Sequence, residues 1–233
     1  MKAYQSFLFL ALILLLTSCE DALVKPGDDA VETRALDDFF KLEVNGCIDV
    51  TFKQSEIFEV RIEAGENHIN FVDTDVVGDW LIIDEDIASL RNHDIRAIVS
   101  APNLDEIIIN GSGDVDATGL DAATIEVRVN GSGDMNIDAL SDLMIAQVSG
   151  SGDITLLGET IDLDLTVKGS GDINARNSIS DYAEVHVKGS GDVKVNVFKE
   201  LYASINGSGD IHYWGNPEIV NTNVSGSGDI LEH

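Results

Sequence analysis

An all-β parallel solenoid is the fold class this sequence predicts, and three observations predict it. Gly-Ser-Gly-Asp occurs seven times, beginning at Gly111, Gly131, Gly150, Gly169, Gly189, Gly207 and Gly226, at intervals of 20, 19, 19, 20, 18 and 19 residues. A fixed period near 19 belongs to a chain that stacks one small unit many times. On both sides of each motif apolar residues alternate strictly, as in Ile125-Glu126-Val127-Arg128-Val129 and Met135-Asn136-Ile137. That is the period of a half-buried strand.

The third observation is that the units align in columns. Two residues before the first glycine stand Ile109, Val129, Val148, Val167, Val187, Ile205 and Val224, and directly after the aspartate stand Val115, Met135, Ile154, Ile173, Val193, Ile211 and Ile230. Equivalent residues recurring at equivalent places point to a single-stranded parallel β-helix of about 19 residues per coil. Each coil would bond to the next at about 4.8 Å, so that seven coils span about 34 Å. Right-handed winding is the default for such crossovers. A row of antiparallel hairpins is the competing arrangement, since a Gly-rich turn between strands also reads as a hairpin; it gives no reason for the columns.

Within each corner the paired glycines Gly111 and Gly113, Gly131 and Gly133, Gly150 and Gly152, Gly169 and Gly171, Gly189 and Gly191, Gly207 and Gly209, and Gly226 and Gly228 are expected to supply positive φ or to fit a crowded backbone. The serine and aspartate side chains are expected to accept bonds from turn amides.

Taken from the N-terminus, Phe7 to Leu16 is an almost unbroken apolar run followed by Leu16-Thr17-Ser18-Cys19. It is too short for a comfortable span and suits a secretory signal. Small residues before a cysteine resemble a lipoprotein processing site. Residues 1–18 therefore read as a lipoprotein signal peptide and Cys19 as the lipidated residue, with palmitate among its acyl chains and the outer membrane of a Gram-negative bacterium as the address. Whether it faces the cell surface or the periplasm is left open. Residues 19–35 read as a flexible tether, and 36–233 as the solenoid. Within it, 36–103 are irregular N-terminal coils and 104–233 are the seven regular ones. Asn45-Gly46-Cys47-Ile48-Asp49 reads as a degenerate first corner, and Glu66 to Val77 as holding a short helix. At the other end the chain stops within its last coil at His233, so exposed strand edges there predict some self-association.

The chain has 233 residues, 44% of them hydrophobic, with 42 acidic against 14 basic residues and a formal net charge of −28. Such a surface repels nucleic acid and disfavours acidic polysaccharides. With Cys19 consumed, Cys47 has no disulfide partner and reads as a buried structural thiol. The aspartate column Asp114, Asp134, Asp153, Asp172, Asp192, Asp210 and Asp229 invites bridging calcium, as in Gly/Asp-rich helices. Turn-capping by solvated carboxylates is the reading preferred here, because only one corner of each coil carries the motif. No cofactor and no catalytic residue is indicated: no carboxylate stands out, and His68, His93, His186, His212 and His233 have no zinc-like spacing. Tyr213-Trp214 reads as filling the last return loop, with a sugar platform as its alternative.

These features resemble the head GIN domain family of auto-transporter adhesins, secreted or lipid-anchored proteins with repeated Gly-Ser-Gly turns between two sheets. The resemblance rests on all seven motifs and on Ala101-Pro102-Asn103-Leu104 leading into the first. It implies a lipid-anchored binding or adhesion module of the cell envelope without catalysis, its partners a membrane through Cys19 and a glycan or cell-surface protein. The alternatives are a polysaccharide-active enzyme of the pectin-lyase-like kind and a structural or assembly protein using its open last coil.

Overall fold

In the computed structural model, residues 26–85 and 94–233 are described. Five long strands carry the regular part: β9 (Val115–Val129), β10 (Met135–Val148), β11 (Ile154–Val167), β12 (Ile173–Val187) and β13 (Val193–Ile205). Each leaves one Gly-Ser-Gly-Asp corner, bends back, and enters the next. Val115 pairs with Met135 and Val129 with Val148, both parallel; Met135 pairs with Ile154 and Val148 with Val167. The two sides of a corner therefore pair with the neighbouring coils rather than with each other, which rules out hairpins. One wall is formed by residues after the corners and a second by residues before them.

The chain's last stretch is lighter. β14 (Ile211–Trp214) and β16 (Ile230–Glu232) continue the first wall, and β15 (Ile219–Val224) continues the second. The inward columns are buried from Val44 to Ile205 and from Val50 to Ile211. In β15 every residue is exposed, Val224 included, because its partner β13 lies on one side only.

The N-terminal region departs from a simple stack. β2 (Lys41–Gly46) and β3 (Asp49–Gln54) form the first cornered coil, as the sequence predicts: β2 pairs with β8 (Glu106–Gly111) and β3 with β9. Beneath them, however, sit β6 (Trp80–Glu85) and β7 (Arg96–Ala101), parallel to β2 and β3. A coil later in sequence thus lies earlier in space. Three antiparallel strands close this end. β4 (Glu59–Gly65) pairs with β7, β1 (Asp29–Ala35) pairs with β4, and β5 (Val72–Val77) pairs with β6 through a Gly78-Asp79 turn.

Two expectations are corrected here. Residues 29–35, expected to be tether, are strand β1, and even Pro26 and Asp28 accept bonds from the amides of Asn67 and Glu66. Val31 and the other outward residues of β1 are exposed; cross-strand bonding and Arg34 hold it, the guanidinium donating to the Val72 carbonyl at 2.7 Å and to Thr74 at 3.1 Å. The short helix expected in 66–77 is a single 3-10 turn, Ile69–Phe71, after which the chain enters β5.

Candidate functional site

The corner edge was the most conspicuous candidate, and its chemistry is mechanical. A Cβ built on Gly150 would stand 1.9 Å from the Gly131 carbonyl oxygen, and one on Gly152 1.9 Å from that of Gly133. The same approach, 1.9–2.1 Å, recurs at both glycines of every corner. Glycine is required because the neighbouring backbone leaves no room for a side chain; of these fourteen glycines only Gly226 has a positive φ, 155°. The expectation of positive φ gives way to crowding.

Each serine's backbone amide bonds the first glycine of the preceding corner, as Ser151 does to Gly131 at 2.8 Å. Its hydroxyl makes no hydrogen bond among the described residues and faces solvent. The aspartates do cap: Asp172 N–H donates to Asp153 Oδ1 at 2.7 Å, and Asp153 N–H to Asp134 Oδ1 at 2.8 Å. The ladder runs unbroken from Asp229 down to Asp49 in the degenerate corner. One oxygen of each carboxylate below Asp229 is thus held by backbone. Among the described residues no group of three or more His, Cys, Asp or Glu is arranged to hold a metal ion.

Other sequence candidates scatter. Cys19 and His93 lie outside the described residues. Cys47 sits beside buried Glu85, which accepts the Cys47 backbone N–H. Burial first, then the negative charge of Glu85, pushes the thiol of half-buried Cys47 up, which disfavours its thiolate. His68 is buried in the cap, while His186 and His212 lie on different walls. Tyr213 fills the inward column, its hydroxyl donating to Glu232 at 3.2 Å. Trp214 lies between the Arg176 guanidinium, 4.6 Å from its ring, and the His233 ring, stacked at 4.6 Å. Both contacts engage the indole, so it is not the open platform that sugar stacking needs.

Two of the open grooves on the regular coils combine apolar and acidic side chains. The larger, about 550 Å³, runs along the return edge over Leu140, Ile161 and Ile179 with Asp121, Asp142 and Asp181 among them. Its floor is a hydroxyl ladder in which Ser141 bonds Thr160 at 3.0 Å. The second, about 350 Å³, lies on the outer face of the second wall, lined by Tyr182, Tyr202, Asp162, Asp164, Glu184 and Glu200. Tyr182 and Tyr202 are 41% and 40% exposed. Tyr182 pairs with Glu200, so Tyr202 is its diagonal neighbour on the next coil. Burial first, then the charge of Glu184, pushes the Asp164 carboxyl above its ordinary range. Sequence reading missed this pair because the two residues are twenty apart. The signal was present in outward columns: seven residues before Gly189 and five before Gly207.

Comparison with known proteins bears on what such a rod is for. The sequence profile of the family described as "Putative auto-transporter adhesin, head GIN domain" matches residues 38–217. The chain belongs to this family. Among solved structures, a putative adhesin from Bacteroides fragilis NCTC 9343 superimposes on this head GIN chain with a TM-score of 0.87 at 24% identity, covering 90% of this chain and 100% of that one. A protein described as a putative lipid binding protein, from Parabacteroides distasonis ATCC 8503, gives 0.75 at 24% identity, covering 90% and 99%. A putative adhesin from Parabacteroides merdae ATCC 43184 gives 0.72 at 22%, covering 91% and 99%. At these identities the likeness is one of fold. Curated protein sequences give no match.

Proposed function

We propose that this head GIN chain is a non-catalytic adhesion module, anchored by lipid at Cys19 in the outer membrane of a Gram-negative cell and presenting its walls to a ligand. Family membership across residues 38–217 carries this reading. The absence of catalysis is supported by the corner geometry, in which the most regular set of carboxylates is occupied with backbone amides. Rigidity is supported by the columns, which lock successive coils into one rod.

The anchor rests on Leu16-Thr17-Ser18-Cys19. Among the described residues no helix is long and apolar enough to cross a membrane. Because the cap already holds Pro26, only Glu20 to Lys25 separate it from Cys19. Six residues reach about 20 Å at full extension, so the cap would stand close to the bilayer with the coils leading away.

Two measurements test this. Cys19→Ser is expected to abolish incorporation of labelled palmitate and move the protein out of the membrane fraction. Protease added to intact cells is expected to remove the chain; protection until the outer membrane is permeabilised would contradict adhesion, since a periplasmic head reaches no foreign surface.

A further inference from the structure

The outer face of the second wall carries a ligand-binding feature that the solenoid itself does not require. Outward positions on most of this wall hold short or charged residues, which solvation alone explains. Where β11, β12 and β13 meet, two large aromatic rings project instead. Burying neither, they contribute little to the core, and each leaves apolar ring surface in water. Lys199 stands 5.4 Å from the Tyr182 ring centroid, and the His186 ring meets Tyr202 edge-on at 5.8 Å. These contacts orient the rings while leaving them substantially open.

Around the rings the polar groups are of one kind. Asp162, Asp164, Glu184 and Glu200 border the groove; beside it Lys199 pairs with Asp181 at 2.7 Å, His186 bonds Glu184 at 2.9 Å, and Asn221 donates to Glu200 at 3.3 Å. Carboxylates accept hydrogen bonds and donate none. A ligand here must offer flat apolar faces to two rings about 8 Å apart and hydroxyl or amide donors at its rim. It must carry no negative charge, because four carboxylates border the groove and would repel one. A pyranose has this character, with C–H groups on its faces and hydroxyls around its edge.

We infer that the Tyr182–Tyr202 groove is a saccharide-binding site for short runs of neutral sugar residues, with the rings as stacking platforms and the flanking carboxylates as hydroxyl acceptors. The volume of about 350 Å³ and the shallow shape fit a few sugar rings of a surface chain rather than an enclosed metabolite. An extended peptide is disfavoured because strands β11 to β13 are paired on both sides here, leaving no free edge to receive it. This inference rests on the adhesion reading and names the ligand class for it.

The test is calorimetric titration of the full chain with cellotriose, chitotriose and trigalacturonic acid. Weak binding of at least one neutral trisaccharide is expected, and none of the galacturonate. Tyr182→Ala and Tyr202→Ala should each weaken binding by about tenfold, the loss of one stacked ring, whereas Trp214→Ala should change nothing. Both tyrosines are on the outer face, and unchanged circular dichroism melting curves would show that the variants fold. Failure of both neutral sugars to bind, equal binding of the galacturonate, or undiminished binding by the tyrosine variants overturns the site. Adhesion of chain-coated beads to enzymatically deglycosylated cells, without saccharide binding, would overturn the site and leave the adhesion reading standing. Saccharide binding by a chain that intact cells shield from protease would do the reverse.

Discussion

The first corner and the seven that follow it occupy the same place in the rod but fill it differently. Gly46-Cys47-Ile48-Asp49 carries isoleucine where the later corners carry their second glycine, and Ile48 is fully buried. Beneath Gly113 to Gly228 lies a tight corner whose carbonyl stands 1.9–2.0 Å from any Cβ. Ile48 stands instead above the coil that holds β6 and β7, where Asp49 N–H bonds the Ile95 carbonyl at 3.1 Å. A glycine at this position is demanded by a tight corner below it, and isoleucine serves above β6 and β7, between which the sequence has no glycine. Gly46 differs again: its φ of 95° is left-handed, and a Cβ there would meet the Glu85 side chain at 2.5 Å.

This contrast makes graded predictions. Gly152→Ala should be the most damaging, costing about 3 kcal/mol or more because backbone rather than a flexible side chain must move. Its melting temperature should fall further than that of any cap variant. Ile48→Ala removes buried bulk instead and should cost about 3 kcal/mol through the cavity it leaves. If Gly152→Ala were tolerated like an ordinary turn substitution, the two corners would not differ in the way argued.

Next comes the capping ladder, common to both regions. Asp153→Ala leaves the Asp172 amide without its acceptor and should cost about 1.5 kcal/mol, whereas Asp153→Asn, which keeps an acceptor, should cost less. Urea denaturation separates these values. Calcium or a chelator should leave the midpoint unchanged; a calcium-dependent rise would show that the column binds metal beyond its capping role.

A smaller, pH-dependent effect marks the junction of the regions. Glu106 on β8 lies between Lys41 of the first coil and Arg128 of the next, accepting from Lys41 Nζ at 2.9 Å and from the Arg128 guanidinium. Burial alone would raise its carboxyl, but hydrogen bonds from both cations outweigh burial and hold it below the usual range. A depressed carboxylate stabilises the fold above its unfolded pKa, and that contribution is lost as pH falls through the folded value. Glu106→Gln should therefore cost about 1 kcal/mol at neutral pH. The difference from wild type should shrink as the solution is acidified below the ordinary glutamate range. A difference independent of pH would mean that packing, not charge, is what Glu106 contributes.

The same two regions show what could be read from residues alone. In the coils, seven repeats of one motif and the apolar columns beside it specify corners, inward faces and stacking, because each unit repeats the same environment. The cap has no repeat to align. Nothing in Trp80 to Ala101 announces that β6 and β7 lie beneath an earlier coil, since apolar alternation marks a strand without saying which edge it pairs with. β1 was illegible for a related reason: its residues are mostly exposed and lack a buried period, and the bonds holding it come from β4 and from Arg34 reaching Val72. Tyr182 and Tyr202 became a pair only once the register of β12 on β13 was known, because a diagonal contact depends on it.

Stacking of equivalent positions is the claim from which the rest follows, and thiol cross-linking reads it directly. Ser132 and Ser151 are exposed at the same place in adjacent corners, about 4.8 Å apart along the rod, within disulfide range. Ser132→Cys with Ser151→Cys should oxidise quantitatively to an intrachain disulfide, mapped by peptide mass spectrometry, while Ser112→Cys with Ser170→Cys, three coils apart, should remain reduced. Failure of the adjacent pair to join, or equal joining of the distant pair, would contradict the stacked rod.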